Sequence, residues 1–124
     1  MVGTMANLSA ISVSSSLSYS ANKVSAKLST TFSADQAGNF FESGIQSVGT
    51  TEESLDKGDV VTIGKIAVRN MDATNYIQVG HLTGSYSIKL NPGEGFAGLT
   101  WGGSSVFVKA NTAACNVEYL IVEA

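Results

Sequence analysis

The sequence predicts an all-β protein, a single antiparallel β-sandwich or jelly-roll-like domain with an N-terminal β-hairpin or extended arm. Apolar and polar residues alternate over long stretches, and β-branched runs recur about every 8 to 12 residues. Thirteen glycines and one proline fit short strands joined by tight turns. The 124 residues suffice for one domain, 1–124, in which residues 1–33 supply the N-terminal strands.

The longest alternation runs from Ile11 to Phe32. A turn at Ala21-Asn22 is predicted to divide it into two strands, with serine, threonine and lysine filling the opposite parity. A helix would need apolar residues three and four positions apart, and neither stretch shows that spacing. The larger apolar residues of this alternation are the odd-numbered Ile11, Val13, Leu17 and Tyr19 before the turn and the even-numbered Val24, Leu28 and Phe32 after it.

Shorter signals predict the later strands. Gly64 is predicted to break one β-branched run, and the polar segment TTEESLDKGD is predicted to be a loop. The remaining predicted strands are 40–41, 45–48, 60–63, 66–68, 76–79, 86–90, 96–101, 106–108 and 117–122.

Composition argues against several classes of function. The net charge of −3 and the scattered basic residues do not form a nucleic-acid surface. No run of 18 apolar residues suggests a membrane span, and the N-terminus lacks the basic and apolar regions of a secretion signal. Cys115 is the only cysteine, which excludes an intramolecular disulfide and fits assembly in a reducing compartment.

The motifs that suggest chemistry are weak. GEGFAG (93–98) has dinucleotide-binding spacing, but the strand-like sequence after it favours a turn over a nucleotide site. His81 is the single histidine, and no nucleophile is positioned by a recognisable motif, so a turn residue is favoured over a catalytic base. We therefore expect no enzyme activity and no cofactor.

Two binding alternatives remain open from the residues alone. The acidic loop Glu52–Asp59 could gather carboxylates around calcium, although a solvated loop is the simpler interpretation. Trp101 and Tyr76 could form stacking surfaces for a carbohydrate, although aromatic residues on neighbouring strands more often belong to a core.

The segment VRNMDATNYIQVG (68–80) is predicted to be a strand, a tight turn and a second strand. Asn70, Asp72 and Asn75 have side chains that hydrogen-bond to nearby backbone and tolerate turn conformations. Arg69 is expected to bridge across the resulting hairpin to an acid or to carbonyl groups. These four residues are predicted to have a structural role.

Four motifs in order resemble a family of small tailed-bacteriophage virion proteins. They are an Arg-Asn-hydrophobic-Asp turn, Thr-Asn-Tyr before a short strand ending in glycine, a Leu-x-Pro-Gly-Glu turn, and Val-x-Ala-Asn-Thr-Ala before a closing hydrophobic strand. The resemblance covers about residues 44–124, with Met71 where leucine is more usual. The serine-rich first third lies outside it.

The resemblance implies a non-enzymatic structural role, foremost as a capsid decoration or cement protein on the virion surface, made in the host cytoplasm. A head-fibre or tail component and a carbohydrate-binding sandwich are the alternatives. The implied partner is the major capsid protein or another virion protein, and we expect a homo-oligomer, a trimer or a dimer, without nucleic acid or membrane. Because the later two-thirds could close a sandwich alone, the predicted partner-binding residues are Leu8, Ile11, Val13, Leu17 and Tyr19.

Overall fold

The computed structural model describes residues 10–124, with side chains from residue 11 onward. This part of the chain is all-β, and its strands form antiparallel sheets. The strands are β1 (Ala10–Ala21), β2 (Val24–Asp35), β3 (Phe41–Val48), β4 (Glu53–Ser54), β5 (Ile63–Asn70), β6 (Ile77–Gly80), β7 (Ile88–Leu90), β8 (Gly95–Thr100), β9 (Phe107–Ala110) and β10 (Cys115–Glu123).

Eight of these strands form two four-stranded sheets. One sheet has the order β3-β10-β5-β8, and the other has the order β4-β9-β6-β7. The pairing is nested along the chain: β3 pairs with β10, β4 with β9, β5 with β8, and β6 with β7. Two further pairs, β10 with β5 and β9 with β6, complete the sheets.

Both sheets contribute to one hydrophobic core. In β10 the side chains of Val117, Tyr119 and Ile121 are buried, whereas the intervening Glu118 and Leu120 are exposed. This period of two places one face of the sheet against the core and the other face outward. The second sheet fills the same core from the opposite side with Ile77, Val79, Leu90, Val108 and Ala110. The arrangement is compatible with a two-sheet sandwich.

β1 and β2 form a separate two-stranded hairpin in which all twelve residue pairs are in register. The turn lies at Asn22-Lys23, where both residues have positive φ (47° and 68°), one position later than predicted. Two consecutive positive φ angles are the requirement of a type I′ turn, whose twist matches that of the flanking strands. Asparagine tolerates this conformation well, whereas Lys23 occupies it at some cost in strain.

The predicted break at Gly64 is wrong, because Gly64 lies inside the continuous strand β5. A Cβ atom there would lie 2.8 Å from the Cα atom of Ala124, so glycine allows the end of the chain to approach closely. The Ala124 amide donates to the Thr62 carbonyl at 2.9 Å beside this point. The predicted strands 40–41 and 45–48 likewise belong to one strand, β3, which continues through the exposed Gly44.

The segment between β5 and β6 is not the turn of a hairpin. β5 lies in the first sheet and β6 in the second, so residues 71–76 connect the two sheets across the core. Arg69 therefore bridges no β5–β6 hairpin, although it does pair with an acid, Glu118 of β10, and the strand-turn-strand order is correct. Among residues 10–124 there is no helix with the length and hydrophobicity needed to cross a membrane.

Candidate partner-binding surface

The in-register pairing of the hairpin separates its two faces by polarity. Odd-numbered residues of β1 lie opposite even-numbered residues of β2, as in the pairs Val13–Phe32 and Leu17–Leu28. One face is therefore apolar except for Ser15 and Thr30, and the other face holds serine and threonine together with Lys27 and Asp35. The members of the apolar face are Ile11, Val13, Leu17, Tyr19, Ala21, Val24, Ala26, Leu28, Phe32 and Ala34.

The base of the hairpin packs on the outer face of the sheet β3-β10-β5-β8. Val13 is buried there, and its side chain occupies the space that a Cβ atom on Gly98 would take. The Ser15 hydroxyl donates to the Ala97 carbonyl at 3.5 Å. The Lys65 ammonium lies 5.6 Å from the centroid of the Phe32 ring, within cation–π range. These contacts fix one end of the hairpin to β8 and β5.

The remainder of the apolar face is open. Its large side chains are 75% exposed at Leu17, 61% at Tyr19, 62% at Val24 and 76% at Leu28. We call these four residues the tip row. An isolated two-stranded hairpin is marginally stable in water, because it has no second layer against which to bury its apolar side chains. The tip row is therefore a candidate surface for contact with another protein.

The same outer sheet face carries a second exposed apolar area. Phe41 and Ile45 of β3 are 65% and 58% exposed, and Leu120 of the neighbouring strand β10 is 39% exposed. We call these three residues the sheet patch. An open groove of about 870 Å³ separates the hairpin from this side of the sheet, with Ser14, Ser43 and Leu120 among its walls. The hairpin of the same chain thus covers β8 and β5 more closely than β10 and β3.

The five predicted partner-binding residues have different positions. Leu8 lies outside the described residues. Val13 is buried on its own sheet rather than presented to a partner, and Ile11 beside it is half-buried. Leu17 and Tyr19 are widely exposed and belong to the tip row. Their binding role remains a prediction.

Sequence reasoning did not assign Val24, Leu28 or the sheet patch to a binding surface. The alternation in β2 was a sufficient signal for Val24 and Leu28, because pairing in a hairpin places both on the face of Leu17. The sheet patch gave no comparable signal, since Phe41 and Ile45 resemble core residues of a short strand.

Asn70 links the two sheets from a fully buried position. Its side-chain amide donates to the carbonyl groups of Asn75 at 2.9 Å and Leu90 at 3.1 Å. Its side-chain oxygen accepts from the Asp72 amide at 3.0 Å. These bonds join the end of β5 to the segment before β6 and to the end of β7, and they satisfy polar groups that would otherwise be buried without partners.

Asp72 closes the connection that Asn70 begins. Its carboxylate accepts from the backbone amides of Asn75 at 2.6 Å and Thr74 at 2.9 Å. These two hydrogen bonds lower the pKa of Asp72 because they stabilise the charged form. The Asn75 side chain in turn accepts from the Thr112 hydroxyl at 2.6 Å. Asn70, Asp72 and Asn75 thus occupy one hydrogen-bonded turn.

Arg69 points outward at the same strand end. Its guanidinium pairs with Glu118 at 2.8 Å, and the two residues lie directly opposite each other on β5 and β10. Both side chains are about half exposed, so this ion pair contributes little to stability. It does border the groove beneath the hairpin.

The acidic loop does not gather its carboxylates. Glu52 accepts from Tyr86, the Gly84 amide and Thr83, whereas Glu53 accepts from Gln46 and the Gly49 amide. The hydrogen bond with Glu52 is the main cause that raises the pKa of Tyr86 to about 12. Within residues 10–124, no three His, Cys, Asp or Glu side chains are grouped in a way that could hold a metal ion.

The other weak motifs of the sequence lie in turns, in strands or in the core. Gly93, with φ of +81°, lies in the turn before β8, so GEGFAG is turn and strand. His81 follows the last residue of β6 and meets Trp101 edge-on, with ring centroids 6.4 Å apart. Trp101 is buried and its indole donates to the Ser105 carbonyl at 2.8 Å. Cys115 is also buried, and this burial is the main cause that raises its thiol pKa.

No protein-family model, curated protein or solved structure matches this chain significantly. A proposal for its function therefore depends on its own residues and geometry, together with the resemblance of its turn motifs.

Gly98→Ala is expected to release the base of the hairpin. The new methyl group would overlap Val13, and the φ of +86° is strained for alanine, at a cost on the order of 1–3 kcal/mol. In limited trypsin digestion, cleavage at Lys23 and Lys27, measured relative to cleavage at Lys89, should then be faster in the variant than in the unchanged protein. Gly102→Ala is the matched control, because a Cβ atom there meets no atom within 4 Å. Unchanged cleavage in Gly98→Ala would contradict the proposed anchoring.

Asp72→Asn is expected to change the acid dependence of stability. Because the folded-state pKa of Asp72 is lowered, its stabilisation is present above its ordinary pKa of about 4 and is lost as the pH falls through the folded value. Urea denaturation should show the variant less stable at pH 7, with the difference shrinking below pH 4. Asp59→Asn, in the exposed part of the acidic loop, is the control. A difference that does not vary with pH would contradict the assignment.

Proposed function

We propose that this protein is a non-enzymatic structural component of a tailed-bacteriophage virion, specifically a decoration or cement protein that binds and stabilises the major capsid shell. The observation that carries the proposal is the tip row, an uncharged apolar surface on a projecting hairpin. Such a surface suits contact with another folded protein better than capture of a small polar ligand. The phage assignment comes from the motif resemblance over residues 44–124.

The strand order supports a jelly-roll sandwich as the fold of this component. Eight strands pair first with last, second with seventh, third with sixth, and fourth with fifth, counted from β3 to β10. Rolling up one long antiparallel ribbon produces this nesting, and double-sheet jelly rolls consist of eight strands. Jelly rolls are common in viral capsid proteins, so the fold is consistent with the proposed role.

The hairpin is the proposed assembly arm. Twelve-residue strands extend over about 40 Å, which exceeds the length of any strand in the two sheets. Its anchored base would hold the arm to the sandwich, while the tip row would reach a neighbouring subunit. The same geometry would serve a head-fibre or tail component, which differs from a decoration protein in its copy number per particle.

The proposed role requires neither cofactor, nucleic acid nor membrane. It places the protein on the capsid surface after synthesis in the host cytoplasm, where the free thiol of Cys115 stays reduced. We do not propose carbohydrate binding, because the burial of Trp101 removes the ring face that a sugar would stack on.

Quantitative mass spectrometry of purified virions tests this proposal. The chain should be present at the copy number of the major shell protein or at a simple fraction of it. The tail and portal proteins of the same particles calibrate low copy numbers, and a high-salt wash removes adsorbed host protein. A few copies per particle would indicate a fibre or tail component, and absence from the particle would contradict the virion assignment.

A further inference from the structure

Within residues 10–124 two apolar surfaces are exposed, and Leu120 of the second surface lines the groove beneath the hairpin. The tip row lies on the outer half of the hairpin, and the sheet patch lies on β3 and β10. The hairpin's own contacts with the sheet are at β8 and β5, through Val13, Ser15 and Phe32. In the part of the chain that the structure describes, Phe41 and Ile45 of β3 and part of Leu120 of β10 therefore remain exposed beside the docked hairpin.

We propose that two copies of this chain exchange their hairpins, so that the tip row of each copy covers the sheet patch of the other. A two-stranded hairpin has the width of the two open strands β3 and β10, and stacked sheets pack at about 10 Å. The second hairpin would then lie beside the first over one four-stranded sheet. This inference does not depend on the virion assignment.

The charges of the two surfaces favour this occupant. The hairpin, Ala10–Asp35, carries Lys23 and Lys27 near its tip and one acid, Asp35, at its base, a formal net charge of +1. Residues 36–124 carry five basic and nine acidic residues, a formal net charge of −4. The hairpin is therefore attracted to the body of a second copy, whereas the lysine-bearing tips of two hairpins facing each other would repel.

The area is sufficient for a stable pair. The tip row and the sheet patch comprise seven large side chains, which at roughly 100 Å² of exposed area each present about 700 Å² per copy. A typical specific interface takes about 800 Å² from each partner. Reciprocal exchange uses both surfaces of both copies and closes with two-fold symmetry, so no apolar edge is left to recruit further copies.

Sedimentation velocity of the full chain over a range of concentrations tests the exchange. A dimer is expected, and Leu17→Ser with Leu28→Ser should raise its dissociation constant roughly 100-fold or more. Phe41→Ser with Ile45→Ser should do the same, because it removes the other half of the contact. Ser16→Ala with Ser18→Ala, on the opposite face of β1, is the control and should leave the dimer intact. The substitutions of Leu17, Leu28, Ser16 and Ser18 lie on the hairpin, whereas those of Phe41 and Ile45 lie on β3. Circular dichroism checks that each variant folds.

Mixing the two defective variants distinguishes exchange from other modes of association. The hairpin variant retains a good sheet patch and the sheet variant retains a good tip row, so one of the two contacts can form between them. A heterodimer of intermediate affinity is therefore expected. A chain that stays monomeric at every concentration would overturn the proposal. So would a trimer, a dimer that survives the sheet substitutions, or the absence of a heterodimer on mixing.

Discussion

Ala21 lies opposite Val24 across the two-residue turn of the hairpin, and this pairing sets the face of every other side chain in β1 and β2. Because side chains alternate along a strand, the apolar residues of both strands fall on one face and the serines on the other. A shift of one residue would place Leu28 opposite a serine and destroy the apolar face. The positive φ angles of Asn22 and Lys23 are the local conformation that maintains the register.

The hairpin divides into two parts that differ in what covers them. At its base, Val13 is buried because Gly98 leaves room for it, and the sheet supplies the second layer that a two-stranded ribbon needs. Toward the tip, Leu17 and Leu28 continue the same apolar face, and residues 10–124 supply no second layer there. The proposed capsid contact and the proposed exchange between copies both use this open half, so a copy in the exchanged pair must release its tip row before that row contacts the capsid.

Local pattern predicted most of the strands, the hairpin and the polar turn, because alternation and turn chemistry are properties of neighbouring residues, but it missed β4 inside the predicted loop TTEESLDKGD. The residues Asn70, Asp72 and Asn75 do form one turn, but turn chemistry is the same whether a connection closes a hairpin or joins two sheets, so their location between sheets could not be foreseen. Contacts between distant segments were equally hidden. Gly64 was predicted to break a strand because the sequence does not show that Ala124 lies beside it. The sequence likewise does not show that Val13 packs against Gly98.

The most direct test of this account is amide hydrogen exchange in the tip half of the hairpin, residues 16–29, measured at protein concentrations above and below that of dimer formation. The account predicts protection at high concentration and its loss on dilution, while the amides of β5 and β10 remain protected at both. Protection of the hairpin tip that is equal at all concentrations would show that its apolar face needs no second chain, and would contradict the account.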